Sequence, residues 1–208
     1  MSLLPKLAET TKTLEATFSE IPAERKEVLK QLANYIKAKK EAAQTISLVF
    51  ICTHNSRRSH MAQLWAQAAA ANYNINNITT FSGGTEATAF YPAAVQAMQE
   101  IGFEIEKSEA TVNPKYKVNY SFDEPTIEAW SKRFDDAANP ASNFCAIMTC
   151  SDADENCPFV PGVGKRIAIT YNDPKASDNT AQQAEIYRER ALQIGLEMLF
   201  SFSQVSAK

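Results

Sequence analysis

The chain has 208 residues, enough for one sizeable domain with an extension and too few for two ordinary domains. Apolar residues make up 45% of the sequence and charged residues 22%, which is typical of a globular protein. The formal net charge is −3 and no basic block is present, which argues against nucleic acid or an anionic membrane as a partner. An anionic substrate would therefore need a local positive site.

The beginning of the sequence lacks the apolar core of a signal peptide, and no stretch is long enough to span a bilayer. We therefore expect a cytoplasmic protein without a membrane partner. In that compartment the chain's four cysteines are more often reactive or metal-binding than joined in structural disulfides.

Residues 1–45 have a helical pattern that differs from the rest of the chain. A loose apolar face comes first, and a second apolar set recurs at helical spacing after Pro22. The two sets are Leu3, Leu4, Leu7, Leu14 and Phe18, then Val28, Leu29, Leu32 and Ile36. We predict a helical hairpin that extends a domain at 46–208. Packing on its own domain is the favoured role, and a homodimer formed through residues 1–45 is the alternative.

From residue 46 onward, strand and helix patterns alternate. The predicted strands are 46–51, 78–81, 144–149 and 166–171, and the predicted helices are 58–73, 92–101 and 181–202. This order predicts an α/β fold with a four-stranded parallel sheet and helices on both faces. Between 116 and 134, alternating apolar residues flank a turn at Asp123-Glu124-Pro125, which predicts an inserted β-hairpin.

The segment between the first strand and the next helix reads Cys52-Thr-His-Asn-Ser-Arg-Arg58-Ser59. A loop that runs into a helix N-terminus turns successive N–H groups toward one point and makes a socket for an oxyanion. This loop lies at the carboxyl end of a strand, where open α/β sheets bind ligands. The predicted substrate-binding residues are Thr53, His54, Asn55, Ser56, Arg57 and Arg58.

Four side chains of the predicted site have distinct chemical roles. Cys52 is the nucleophile, because the loop N–H groups and a guanidinium favour its thiolate. Arg58 can bind two oxygens of the oxyanion and stabilise charge in the transition state. Ser59 can donate a hydrogen bond to the sulfur, and Asn55 can fix the shape of the loop. A small core cysteine beside two surface arginines is the alternative, which the position of the loop disfavours.

Asp173 follows the fourth predicted strand and should reach the same edge of the sheet. It is the predicted general acid, which protonates the oxygen that leaves as the cysteine attacks. An ordinary Asp-Pro turn is the alternative. The presence of Cys52 favours the catalytic interpretation.

From about Ile46 to Gln204, the chain resembles the low-molecular-weight protein tyrosine phosphatase superfamily. The resemblance rests on the Cys52–Ser59 loop, on Phe81-Ser82-Gly83-Gly84-Thr85 and on Asp173-Pro174. Within the superfamily the chain is most similar to the thioredoxin-coupled arsenate reductases. Two more cysteines follow the third strand here, in Met148-Thr-Cys150-Ser-Asp-Ala-Asp-Glu-Asn-Cys157-Pro158.

The resemblance implies a relay of three cysteines. Cys52 would attack arsenate, and Cys150 would then attack the Cys52 sulfur, which releases arsenite. Cys157 would attack Cys150 in turn. The resulting Cys150–Cys157 disulfide would be reduced by thioredoxin as an external reductant, with no bound cofactor.

The spacing of Cys150 and Cys157 has a consequence of its own. Ser151 to Asp154 is typical of a capping box that starts a helix, and Pro158 would end it. Seven helical residues rise about 10 Å, whereas a disulfide needs its Cα atoms within about 7 Å. The two cysteines therefore cannot pair until the helix unwinds, which should cost little because one or two turns are marginally stable.

Zinc binding is the competing use of the cysteines. No Cys-x2-Cys pair is present, so no metal site is predicted. Cys145 lies in mid-strand among apolar residues and is expected to be part of the core. His60, on the helix after the loop, is expected to be structural.

Several positions depart from the family pattern. Arg57 stands where a second loop cysteine is common, and His54 stands where glycine is usual, which would strain the loop if φ is positive there. Gln63 replaces a glutamate that often helps to hold a potassium ion, so that ion is not expected. Lys175 and Ala176 stand where the phosphatases commonly have tyrosines, which weakens the case for a phosphotyrosine substrate.

Arsenate reduction is the leading hypothesis. The alternative is a low-molecular-weight protein tyrosine phosphatase that hydrolyses phosphomonoesters through a cysteinyl phosphate. A binding protein that senses a small oxyanion is a third reading, which the intact nucleophile, arginine and acid disfavour.

Overall fold

The computed structural model describes residues 2–108, 110–156 and 160–206. The helices are α1 (Pro5–Glu15), α2 (Ala23–Glu41), α3 (Arg58–Asn72), α4 (Pro92–Ile101), α5 (Ser151–Asn156) and α6 (Gln183–Ser206). The strands are β1 (Ile46–Cys52), β2 (Ile78–Gly84), β3 (Glu104–Lys107), β4 (Tyr116–Asn119), β5 (Ile127–Ala129), β6 (Phe144–Met148) and β7 (Val163–Ala168). Within these ranges, no helix combines the length and the apolarity needed to cross a membrane.

A four-stranded parallel sheet forms the centre of the fold, with strand order β2-β1-β6-β7. Its register places Ile51 of β1 opposite Met148 of β6, so the carboxyl ends of these two strands lie side by side. The predicted fourth strand, 166–171, is offset from β7 by three residues. The ladder between β6 and β7 ends where Met148 pairs with Ala168. Residues 169–171 still follow the end of β6, because Ile169 N donates to Met148 O at 3.0 Å and Tyr171 N donates to Thr149 O at 3.1 Å.

Alternate residues of β1 face two separate apolar clusters. Leu48 and Phe50 belong to the larger cluster, to which α2, α3 and α6 contribute. Val49 and Ile51 belong to a smaller cluster that Ala153 of α5 joins. Because β1 is buried on both sides, its sequence is a continuous apolar run. The predicted parallel sheet with helices on both faces is confirmed.

The inserted segment forms a separate antiparallel sheet with strand order β3-β4-β5. β4 and β5 lie within the predicted hairpin, which is confirmed. The third strand, β3, is not predicted by the sequence, because Ile105 is the only apolar side chain in Glu104–Lys107. Its pairing with β4, from Glu104 opposite Asn119 to Lys107 opposite Tyr116, supplies what its own pattern lacks.

The N-terminal extension is built into the main core. Both predicted helices are present as α1 and α2, and each packs against α6. Leu7, Leu29 and Leu32 are fully buried in the larger cluster. The Arg25 guanidinium of α2 also forms an ion pair with Glu197 of α6, with 2.6 Å between Nη2 and Oε2. Residues 1–45 therefore share a core with 46–208, and pairing of two chains through them stays a prediction.

A substitution in α2 measures how much the extension contributes to stability. Leu29→Ala removes a fully buried side chain and is expected to lower the free energy of unfolding by about 2–5 kcal/mol. Gln31→Ala, on the exposed side of the same helix, is the matched control and should change it by less than about 0.5 kcal/mol. Urea titration compares the two, and equal small effects would mean that α2 packs only loosely on the domain.

Candidate active site

A small cavity opens at the carboxyl end of β1. Its walls come from the loop between β1 and α3 and from the segment that follows β7. The lining residues are Cys52, His54, Ser56, Arg57, Arg58 and Asp173. Cys52 and Arg58 are both buried, at 3% and 8% exposure. The structure thus brings the predicted nucleophile, arginine and acid together around one small space.

The carbonyl groups of the loop point away from one another into the surrounding segments. Three of them accept hydrogen bonds there: Thr53 O from Glu86 N (2.8 Å), His54 O from Ser131 Oγ (3.0 Å) and Ser56 O from Tyr91 N (2.9 Å). In a peptide unit the carbonyl and the N–H group point in opposite directions. The next N–H group after each of these carbonyls is therefore directed to the other side of the loop, as an oxyanion socket requires.

A chain of hydrogen bonds leads to the Cys52 sulfur. Cys52 Sγ lies 3.1 Å from Ser59 Oγ, and Asn55 Nδ2 donates to the same hydroxyl oxygen at 2.9 Å. Because Ser59 Oγ accepts from Asn55, its own proton is available to the sulfur. Asn55 Oδ1 in turn accepts from Lys132 N at 2.9 Å. The predicted roles of Ser59 and Asn55 agree with these contacts.

The strained position of the loop is Asn55 and not His54. Asn55 has φ of +44°, whereas His54 has no positive φ. Asparagine tolerates the left-handed region better than most residues do, and the Asn55 side chain is held at both ends. The condition for strain at His54, a positive φ, is therefore not met. The half-exposed His54 ring instead lies near Glu86, with 3.7 Å between Nε2 and Oε2.

Arg58 and Asp173 form an ion pair at the cavity. Arg58 Nη2 lies 2.5 Å from Asp173 Oδ2, and Nη1 donates to the Tyr171 carbonyl at 3.0 Å. The Asp173 side chain is one-third exposed (33%), and its other oxygen accepts from Lys175 N at 3.0 Å. The Asp173 carboxyl group therefore lies beside Arg58, the residue that would bind the oxyanion. A general acid for the leaving oxygen is needed at this place.

Cys150 lies two residues after β6, beside the anion loop. Its sulfur is buried and lies 3.6 Å from Thr53 Oγ1. It also accepts a hydrogen bond from Ala153 N at 3.3 Å. The predicted helix is present as α5, but its cap is Cys150 itself and not Ser151, because the helix already begins at Ser151. Cys157 lies outside the described residues.

Thr53 turns its hydroxyl toward the Cys150 segment. Besides its contact with the Cys150 sulfur, Thr53 Oγ1 donates to Asp152 Oδ2 at 2.7 Å. The side chain therefore joins the anion loop to the start of α5. Because the hydroxyl is used in this way, Thr53 can bind an oxyanion only through its backbone N–H group.

Two other residues singled out in the sequence are buried away from the cavity. Cys145 is fully buried in the larger cluster, and burial raises the pKa of its thiol to about 12. His60 is fully buried and stacked on Phe90, and burial followed by the charge of Lys132 lowers the pKa of its imidazole well below the usual value. Both are core residues. Among the described residues, no three His, Cys, Asp or Glu side chains cluster as metal ligands.

Solved structures with the same fold include a low-molecular-weight protein tyrosine phosphatase. A mutant of YwlE from Bacillus subtilis aligns with a TM-score of 0.52 and 14% identity, over 78% of this chain and 100% of that one. A low-molecular-weight protein tyrosine phosphatase from Bacillus subtilis aligns with a TM-score of 0.51 and 15% identity, over 76% and 96% of the two chains. At these identities the likeness concerns the fold.

Relatives in sequence are arsenate reductases. Arsenate reductase 2 of Staphylococcus haemolyticus (strain JCSC1435) is 30% identical over 128 residues, which are 62% of this chain and 78% of that protein. Arsenate reductase of Staphylococcus aureus (strain Newman) is 33% identical over 129 residues, with the same coverage. The chain belongs to the arsenate reductase family. No family model matches it.

In this chain, the Arg57 side chain clamps the anion loop to the segment after Asp173. Its Nε donates to Tyr187 Oη at 2.5 Å, and its Nη2 lies 2.6 Å from Asp178 Oδ2. Tyr187 Oη also donates to Asp178 Oδ1 at 2.5 Å. The Arg57 guanidinium further lies over the Tyr91 ring, 4.1 Å from its centroid. The Arg57 side chain thus joins the anion loop to the segment after Asp173. Only the backbone N–H group of Arg57 remains for the predicted binding of substrate.

Replacing Arg57 shows whether its side chain stabilises the fold or binds the substrate. Arg57→Gln leaves the largely buried Asp178 carboxylate (15% exposed) without its ion-pair partner, so the free energy of unfolding should fall by about 3 kcal/mol. Affinity for phosphate should change by less than about threefold, because the guanidinium is held by Tyr187 and Asp178. Calorimetric titration and urea unfolding measure both quantities. A tenfold loss of phosphate affinity with unchanged stability would contradict the clamp.

The residues that support the site from outside the loop are not recognisable in the sequence. Ser131 and Lys132 hold His54 and Asn55 from the segment after β5, while Asp178 and Tyr187 hold Arg57. They are separated from the loop by between 77 and 130 positions. Sequence periodicity reports local structure and carries no signal for such contacts.

Proposed function

We propose that the protein reduces arsenate to arsenite through Cys52, Cys150 and Cys157, with thioredoxin as the external reductant. The Cys52 thiolate attacks arsenic, and one arsenic oxygen takes a proton from Asp173 and leaves as water. The Cys150 thiolate then attacks Cys52 Sγ. A sulfur–sulfur bond forms, the sulfur–arsenic bond breaks, and its electron pair reduces arsenic from the +5 to the +3 state.

The observation that carries this proposal is the position of Cys150 beside the anion loop. Both cysteines are buried at the carboxyl ends of neighbouring parallel strands, and both belong to the smaller apolar cluster. The Cys150 sulfur touches Thr53, the residue after the nucleophile. A phosphatase needs the nucleophile, the arginine and the acid but makes no use of a second thiol at this place.

The later step of the relay depends on α5. Cys157 would attack Cys150, form a Cys150–Cys157 disulfide and release Cys52 as a thiol. The helix Ser151–Asn156 separates these two cysteines, so it has to unwind before they can pair. A six-residue helix is only marginally stable by itself. Thioredoxin, a dithiol protein, would then supply two electrons and two protons to restore the thiols.

Arsenate-dependent oxidation of NADPH, with thioredoxin and thioredoxin reductase supplied, tests the proposal. We expect sustained consumption of NADPH, with one arsenite formed for each NADPH. The control is the same mixture with Cys52→Ser, which should give only background. Absence of turnover in a wild-type protein that binds phosphate and whose Cys52 is reduced would overturn the proposal.

Phosphomonoester hydrolysis is the second candidate. The ion pair between Arg58 and Asp173 favours it, because these two groups and Cys52 also suffice to form a cysteinyl phosphate intermediate and to protonate the leaving alcohol. Rapid, saturable hydrolysis of phosphotyrosine peptides that is unchanged in Cys150→Ser, together with no arsenate turnover, would favour this candidate over the reductase.

A further inference from the structure

A second cavity lies between α3, β2 and the inserted sheet, apart from the one at Cys52. Its volume is about 350 Å³, which is within the range of small-molecule sites. Ile78, Phe81, Ile127 and Trp130 supply apolar walls. None of the residues that line the Cys52 cavity lines this one.

Lys132 is the unusual member of this second cavity. Its side chain is buried, at 4% exposure, and its ammonium lies 4.3 Å from the centroid of the Trp130 ring. In the described part of the chain, no carboxylate lies within ion-pair distance of the Lys132 ammonium, and it makes no hydrogen bond. Burial lowers the pKa of Lys132 to about 8, although the negative charges of Asp136 and Glu128 act to raise it. A largely buried cation that contacts no carboxylate is costly, and a bound anion would offset that cost.

We propose that this cavity binds a small monocarboxylate with an aromatic or branched aliphatic body. The carboxylate would pair with the Lys132 ammonium, and the body would pack against Trp130 and the aliphatic walls. Glu124 and Glu128 also line the cavity, and Glu128 pairs with Lys115 at 2.9 Å. Their negative charge disfavours a dianion such as phosphate, so the site should discriminate against the ligands of the Cys52 loop.

The proposed site lies next to the anion loop without being part of it. The Lys132 backbone N–H donates to Asn55 Oδ1, and its carbonyl accepts from Gly84 N at 2.9 Å. The side chain, in contrast, lies over Trp130. A substitution of the Lys132 side chain therefore leaves both backbone contacts in place, which makes it a suitable test.

Titration of the full-length protein with 3-phenylpropionate, in saturating phosphate, tests the proposal by calorimetry. We expect a Kd for 3-phenylpropionate on the order of 1 mM. The uncharged analogue 3-phenylpropanamide should bind at least about tenfold more weakly. Lys132→Met should weaken binding of the acid by at least about tenfold. Lys115→Met is the matched control, because Lys115 lies over the same Trp130 ring but is an exposed lysine, and it should change the Kd by less than about threefold.

Unchanged binding in Lys132→Met, or equal losses in Lys132→Met and Lys115→Met, would overturn the proposal. Phosphate affinity of Lys132→Met, which should equal that of the wild type, shows whether the variant is folded. If it is not, nuclear Overhauser contacts in the wild-type protein decide instead. Contacts from the phenyl protons to the Trp130 indole support the site, and their absence at saturating 3-phenylpropionate rules it out.

Discussion

Cys150→Ser is expected to abolish thioredoxin-dependent turnover of arsenate, with a loss of at least about 10³-fold. The serine hydroxyl can accept the hydrogen bond from Ala153 N that the Cys150 sulfur accepts now, so α5 keeps its start. It cannot form a disulfide with Cys52, so arsenic stays in the +5 state on the nucleophile. The same variant should hydrolyse p-nitrophenyl phosphate within about threefold of the wild type, because Cys52, Arg58 and Asp173 are unchanged.

Two further variants define what this result means. Cys145→Ala removes a buried core thiol whose strand neighbours face the opposite cluster, and it should keep thioredoxin-dependent turnover. Cys157→Ser should release a single arsenite per chain and then stop with Cys52 and Cys150 joined, which mass spectrometry of the peptides detects. Sustained turnover in Cys150→Ser would remove the relay from the mechanism and leave the phosphatase reading.

The central sheet was predictable because each of its inner strands is a continuous apolar run. Ile46–Cys52 and Phe144–Met148 are buried on both faces, and burial of this kind is written directly into the local sequence. β3 and the register of β7 were not predictable, since both depend on a partner strand and not on their own pattern. The helices of residues 1–45 were recognised, but their integration into the core depends on α6, which lies far along the chain.

The candidate site also has a part that the sequence predicts and a part that it does not. The loop Cys52–Ser59 is contiguous, and the chemistry of its residues could be assigned from their order and from the strand and helix that flank it. Arg57 shows the limit of that approach. Its place in the loop indicates oxyanion binding, whereas its contacts are with Tyr187 and Asp178. The direction of a long side chain is decided by partners that sequence spacing does not reveal.

Arg58→Lys should lower kcat/KM by about 10²–10⁴-fold in either reaction. Arg58 has one guanidinium group with two tasks in the structure, since it holds the Tyr171 carbonyl through Nη1 and the Asp173 carboxylate through Nη2. A tetrahedral oxyanion adds a third. The lysine ammonium keeps the charge but lacks the planar fork, so it cannot serve these partners together. The loss should appear in kcat as well as in phosphate affinity, because the charge on the oxyanion increases in the transition state.

Asp173→Asn distinguishes two ways in which Arg58 could act in catalysis, by positioning Asp173 or by binding the oxyanion. The amide oxygen still accepts from Arg58 Nη2, so the guanidinium stays in place while the proton donor is lost. We expect kcat to fall by about 10²-fold and phosphate affinity to change by less than about threefold. If Arg58 acts mainly by positioning Asp173, the double variant Arg58→Lys/Asp173→Asn should be no slower than Arg58→Lys. If it acts mainly on the oxyanion, the two losses should multiply, and the 2.5 Å contact between Nη2 and Oδ2 contributes little to catalysis through Arg58.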